Sequence, residues 1–390
     1  VSGGDMMSRV PPASKGRRMT RTAGWPASLQ LRVLAWVTIA VTTLPECGGA
    51  QGLPPALAEF LQQTIALDRR DVAAVTAGQP VAKVLATSDE REIALFGIVR
   101  VGVPRSFYVR LAAAFPSSLR DPSRIAFGLF SDPPTVSDVA GLSLPREDAQ
   151  DLAHCRAGSC KVKLSAQVIA HLRATVDFGS LAADSIVTAY FRERMVEYVT
   201  AYRARGDSAL IVYEDQQSRA AAAQVFQAML ARSPYLYRAP SLERYLVAYP
   251  QGRPANLSEV MFWAEDDLPG LKPTVTITHE VVYAPPELPG TTLVASKLLY
   301  AAHFLDGALD LTAVVDQTGD QAAEPGGIFL VLFRRLHFDN LPSGGLLNLR
   351  SKVMGELLQR TTALLRDTKA RSERAYAGRS TTPPASSPSP

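Results

Sequence analysis

The chain reads as an α+β protein: an antiparallel sheet, a long C-terminal helix and a mainly helical stretch set between two strand-forming parts. Three observations predict this. Thr274-Val275-Thr276-Ile277-Thr278-His279-Glu280-Val281 alternates with period two, placing Val275, Ile277, His279 and Val281 on one face and the threonines with Glu280 on the other. Near the end, Leu347, Met354, Leu358, Thr361 and Leu365 recur at helical spacing, widened by Leu346, Val353, Leu357 and Leu364, so residues 345–366 predict an amphipathic helix. Residues 146–257 carry helical periodicity almost throughout.

Taken in order, Ala56, Phe60, Leu61 and Ile65 predict a short first helix. Glu92–Val101 is apolar enough for a buried strand, which Pro104 stops before a helical turn at Ser106–Leu111. Ile125–Phe130 predicts a second strand, closed by Pro133-Pro134. Ser165 is placed to cap a helix bearing Val168, Ile169 and Leu172, and Asp184 to cap a longer one ending at Gly206. Leu210–Tyr213 is a short strand candidate, followed by helical stretches at Ala220–Leu230 and after Ser241. Strands return at Thr274, at Leu293–Leu311 with a break near Asp306-Gly307, and at Ile328–Phe338. Beyond Lys369 the polar, proline-rich composition predicts a disordered tail, assigned to 371–390.

Composition narrows the function. Of 390 residues 47% are hydrophobic and 20% charged, an ordinary globular balance that excludes collagen-like and coiled-coil chains. The net charge of +4 resides in residues 1–50, which hold six basic and two acidic side chains; the rest carries 35 of each sign. A neutral body gives no case for nucleic-acid binding. The same N-terminal stretch has the pattern of an export signal: Arg21 and Arg32, the apolar run Val33–Leu44, then small residues at Gly48 and Ala50. Cleavage after Ala50 is expected, with Met19 a suitable start. Glu46 makes Cys47 a poor lipidation site, and the run is too short for a membrane span, which needs about 20 apolar residues. A periplasmic or secreted location follows as an expectation. Two cysteines then remain, Cys155 and Cys160, whose spacing and expected compartment predict a local disulfide. The alternative, a metal site with His154 as a third ligand, has neither CxxC spacing nor a second cysteine pair.

The element order resembles the START-like helix-grip (SRPBCC-type) family. The resemblance rests on Glu92–Val103 with Pro104–Leu111 at the front, and on Thr274–Phe338 with Gly344–Leu365 at the back. The phrases Ala295–Phe304 and Arg334–Phe338 are also similar to segments of uncharacterised exported bacterial proteins. It implies a curled sheet gripping the last helix, with an apolar or lipid-like ligand between them. Residues 51–145 and 258–370 would form that domain, and 146–257 a helical insertion foreign to the simple family.

No P-loop, GxGxxG or GxSxG occurs, and His279-Glu280-Val281-Val282-Tyr283 lacks the second histidine of a zincin motif. No catalytic or metal-ligating set, and no cofactor, is indicated. His279 and His303, with Tyr283 and Tyr300, are the candidate polar fixtures of an apolar pocket that Leu358 would help to close; the competing reading makes the histidines hydrogen-bonded core residues. Arg334-Arg335 suits a solvated strand end, Glu193, Arg194 and Glu197 the wet face of a helix, and Asn256-Leu257-Ser258 matches a glycosylation sequon. Three function classes stay open: an exported binder of a hydrophobic small molecule, a structural or interaction protein of the cell envelope with the helical stretch as its contact surface, and an enzyme, disfavoured because no nucleophile–base or metal constellation occurs.

Overall fold

The computed structural model describes residues 52–114, 124–267, 272–317, 326–341 and 349–379. The expected signal, Cys47, Gly344–Gly345 and the proline-rich end lie outside them.

Eight strands make one antiparallel sheet. In chain order they are β1 (Val81–Leu85), β2 (Glu92–Val101) and β3 (Arg124–Leu129), then, after the two-residue ribbon β4 (Val212–Tyr213) and β5 (Ala220–Ala221), β6 (Ser258–Asp266), β7 (Thr274–Tyr283), β8 (Thr291–Ala301), β9 (Leu305–Asp316) and β10 (Ile328–Phe338). The order across the sheet is β1-β2-β10-β9-β8-β7-β6-β3. Five consecutive strands thus form a meander, while β2 crosses to pair with the last strand over ten residue positions, Val101↔Ile328 to Glu92↔His337. This order, with a long helix after the last strand, is helix-grip-like. The sheet stays open, with β1 and β3 as its edges.

Nine helices accompany the sheet among the described residues: α1 (Pro55–Gln63), α2 (Arg69–Thr76), α3 (Arg105–Ala114), α4 (Arg146–Leu152), α5 (Ala166–Thr175), α6 (Ala183–Arg205), α7 (Ala222–Ala231), α8 (Pro240–Ala248) and α9 (Leu349–Arg379). Helices α4–α8 all fall between β3 and β6 in the chain. Ser165 caps α5 by accepting the Val168 amide, and Gly206, at φ 58°, ends α6. No helix among them is long and apolar enough to cross a membrane.

Residues paired directly across strands share a face, so the register divides the sheet into two surfaces. One surface carries Ile93, Leu95, Gly97, Val99 and Val101 of β2 with Ile328, Leu330 and Leu332 of β10. Helices α9 and α3 pack there, Leu365 and Phe107 joining Val99, Val101 and Leu330 while Val353, Met354, Leu357 and Leu358 meet Ile93 and Leu95. Gly97 is required for this approach. A Cβ there would stand 2.8 Å from a methyl of Leu365 and 3.2 Å from Thr361.

The other surface is larger and holds the main core. Phe96, Phe329, Val331 and Phe333 meet α1 and the turn after α7, with Phe333 edge-on to Phe60 and Phe96 at 5.8 and 5.4 Å between ring centres. Further along, Trp263, Ile277, Val281, Leu293 and Leu309 pack against the helices between β3 and β6. The apolar face of β7 therefore meets the inserted helices, and its threonine face looks to the α9 side.

Sequence patterning misses α2, β1 and β6. In β6 the apolar run Val260–Ala264 is flanked by Glu259 and Glu265, which hide the strand. Helix α9 also runs to Arg379, past the expected end. Its last turns are held by tertiary contacts that composition does not reveal: Tyr376 lies 5.1 Å from Phe107, Arg379 sits 4.9 Å over the same ring, and Glu373 accepts the Gly102 amide at 2.8 Å.

If α9 is seated through Gly97, Gly97→Leu should lower stability by about 1–3 kcal/mol through overpacking. Leu365→Ala alone should cost about 2–5 kcal/mol. Chemical denaturation of the double variant should show a loss well below the sum of the two, because the smaller residue makes room for the larger. Strict additivity would mean that Gly97 and Leu365 do not meet.

Candidate functional site

On the α9 side, register alignment produces a polar line across the sheet. Glu280 pairs with Ser296, Ser296 with Asp310, Asp310 with Arg334, and Arg334 with Leu95 at the foot of α9. The four polar side chains thus stand side by side on β7, β8, β9 and β10. Ser296 donates to Glu280 at 2.8 Å, and Arg334 holds Asp310 in a two-pronged contact at 2.9 and 2.6 Å. Glu280 is buried, while Ser296, Asp310 and Arg334 keep part of their surface in solvent.

Rows on either side of this line are mostly apolar. One runs Val282, Val294, Thr312, Leu332; the next includes Thr278, Leu298, Ala308 and Leu336. Val282, Leu298 and Leu336 are half-buried, and toward the β3 edge Leu129 and Val260 are exposed at 48% and 38%. Helix α9 contacts chiefly β2 and β1, while α3 lies against β9 and its Arg105 reaches Thr292 of β8. What results is a half-covered surface with a charged line down an apolar floor. Such a surface offers both burial and hydrogen bonding to a bound molecule.

The residues singled out from sequence lie elsewhere, apart from Leu358 at the α9–sheet seam. His279, Tyr283, Tyr300 and His303 are on the opposite surface or its rim, each tied to the inserted helices. Tyr202 of α6 faces His279 Nδ1 at 3.1 Å, and Glu259 faces Nε2 at 3.1 Å. Those partners suit a neutral ring, Nε2–H donating to the carboxylate and Nδ1 accepting the tyrosine proton. Burial pushes the His279 pKa below its ordinary value, against the pull of Glu259. Burial would raise Glu259, but hydrogen bonds from His279 and Tyr245 hold it below the usual carboxylate range. Tyr283 accepts from Ser241 of α8 at 3.2 Å, Tyr300 donates to the Lys163 carbonyl at 3.1 Å, and His303 bridges the Lys161 carbonyl at 2.9 Å and Asp148 of α4 at 2.8 Å. These side chains join the inserted helices to the sheet.

Two buried lysines extend that junction. Lys163 meets Asp306 at 2.7 Å and Asp339 at 3.6 Å beneath the Tyr213 ring. Lys297 pairs with Asp207 and lies 3.7 Å over Phe226; burial pushes its ammonium down to about 8, opposed by Asp207. Arg335 is no solvated strand end: buried with Glu92 and the Arg232 carbonyl, it closes a third contact. Arg194 and Glu197 pair on the exposed side of α6, and Asn256 and Ser258 are exposed. Cys155 and Cys160 have their sulfurs at bonding distance, 1.96 Å. Among the described residues no group of three or more His, Cys, Asp or Glu is arranged to hold a metal ion.

The polar line escaped sequence analysis because none of its residues is close to another in the chain. Only the register unites them. The one local hint was Glu280 among the threonines of β7.

No family model matches the chain, and no curated protein matches it. Among solved structures, it is similar to the Zhui aromatase/cyclase from Streptomyces sp. R1128, with 12% identity over 35% of this chain and 84% of that one, at a TM-score of 0.22. The fold class accordingly rests on the strand order and the helices themselves.

Two outcomes test the buried junction. Lys297→Met should cost about 3–5 kcal/mol by stranding Asp207, and adding Asp207→Leu should recover most of it, measured by urea unfolding. Because the folded chain resists protonating His279, the unfolded chain takes that proton first as pH falls through about 6.5. Stability should therefore drop from pH 7 toward pH 5, and His279→Gln should flatten that drop. Parallel curves for both proteins would contradict the account.

Proposed function

We propose that the chain binds an amphipathic, lipid-like molecule on the α9 side of the sheet. The observation that carries this is the line Glu280–Ser296–Asp310–Arg334 crossing an otherwise apolar, half-exposed floor. The apolar body would lie over the half-buried Val282, Leu298 and Leu336, shedding water at roughly 25 cal/mol per Å². Its polar end would exchange hydrogen bonds with the line, a preference that an all-apolar floor would lack. The binding takes place outside the cytosol, a reading supported by the charged-apolar-small pattern of residues 19–50 and the Cys155–Cys160 pair.

The second reading, an envelope protein that docks through its inserted helices, has one observation in its favour. Leu181 is fully exposed and Ile186 is 46% exposed at the start of α6.

Titration with a fluorescent long-chain fatty-acid analogue tests the first reading. The native chain should bind it saturably, and Thr312→Trp, which plants a bulky ring in the row beside Asp310 and Arg334 of the polar line, should weaken binding at least tenfold with stability nearly unchanged. An absence of binding, or equal binding by the variant, would reject the site.

A further inference from the structure

Away from the sheet, the disulfide loop and α5 border an open surface depression of about 440 Å³. Its floor is Ile169 with Ala166, Ala170 and Ala174, and Arg156 and Arg173 stand at its margin. Neither guanidinium has a hydrogen bond or ion pair with any described residue. The nearby carboxylate is already engaged: Glu214 takes Arg219 at 2.9 Å with one oxygen and the Ala166 amide at 3.0 Å with the other. The C-terminal end of a helix favours a cation, which accounts for Arg173 in the last turn of α5. It does not account for Arg156.

Arg156 is placed by a stiff loop. Cys155 and Cys160 close it, Arg156 and Ser159 bridge each other's backbone, and the Gly158 and Cys160 amides donate to Glu214 and Asp215 carbonyls at 2.7 and 2.9 Å. A guanidinium held on such a base loses less freedom on binding than one on a mobile loop.

We propose that this depression binds a small organic anion, a carboxylate or phosphate carrying a short apolar body. Arg156 and Arg173 grip the charged group through forked N–H donors, and Ile169 with the alanines receives the body. The disulfide supports the site by holding Arg156 in place.

Calorimetric titration of the full chain with phenyl phosphate, benzoate and inorganic phosphate tests this, the first two separating phosphate from carboxylate recognition. Saturable binding of phenyl phosphate or benzoate is expected, at least tenfold tighter than inorganic phosphate. Arg156→Gln and Arg173→Gln should each weaken it about tenfold, the equivalent of one charge-assisted contact. Both side chains are exposed, so circular dichroism should be unchanged. Cys155→Ser/Cys160→Ser should weaken binding as Arg156→Gln does and add little to that substitution. No saturable binding, equal affinity for inorganic phosphate, or undiminished binding by the Arg156→Gln/Arg173→Gln variant would overturn the proposal. The part of fatty-acid binding lost in Thr312→Trp and kept in Arg156→Gln/Arg173→Gln reports on the sheet surface, so the two sites fail independently.

Discussion

Everything in this fold hangs on the pairing of β2 with β10. These strands are more than 200 residues apart in the chain, yet they meet over ten positions in the middle of the sheet's covered region. Both faces of β2 are buried, as are those of β10 from Ile328 to Phe333. Ile93, Leu95, Val99 and Val101 receive α9 and α3, while Phe96 and Ile98 enter the aromatic core with Phe333. A slip of one residue would exchange the two faces and put Phe96 under α9 and Gly97 into the core. Gly97 makes that slip costly, since it is the position where α9 comes closest.

From that pairing, the meander β10-β9-β8-β7-β6 spreads outward and its two surfaces diverge in character. One is mainly apolar, with His279, Lys297 and Arg335 buried in it, and is covered by the inserted helices. The other begins apolar beneath α9 and becomes mixed, carrying the charged line. Buried ions at the insertion side are paired: Lys163 with Asp306, Lys297 with Asp207, Arg335 with Glu92. The two lysine pairs each link the sheet to a segment outside it, and the Arg335–Glu92 pair, which joins β10 to β2, is tied to the turn after α7 through Arg232. Ion pairs of this kind add little net stability compared with apolar residues, but breaking one is expensive, so they resist misplacement of the helices more than they strengthen the fold.

The extent to which sequence reveals this structure depends on the range of the signal. Ile328–Phe338 and Glu92–Val101 are legible because a strand's apolar run is local, and the Ser165 cap because it acts over three residues. The alternation in β7 is legible too, as two faces. What covers each face is not, since that depends on the hand and order of strands far apart in the chain. His279 was expected to line a pocket closed by α9 because it shares a face with Val275 and Ile277. That face is apolar, and the apolar face meets the insertion. Edge strand β1 and helix α2 lack strong periodicity and take their shape from β2. The line Glu280–Ser296–Asp310–Arg334 has no local signature at all.

The central claim is that the α9-side surface of the sheet is the one that takes a ligand. A photoreactive fatty acid, cross-linked to the full chain and mapped by peptide mass spectrometry, addresses it directly. The account predicts adducts on β7–β10 at Val282, Leu298, Thr312 and Leu336 and on the facing turns of α9, displaced by excess unlabelled fatty acid. Displaceable adducts confined to the inserted helices, or none, would contradict it.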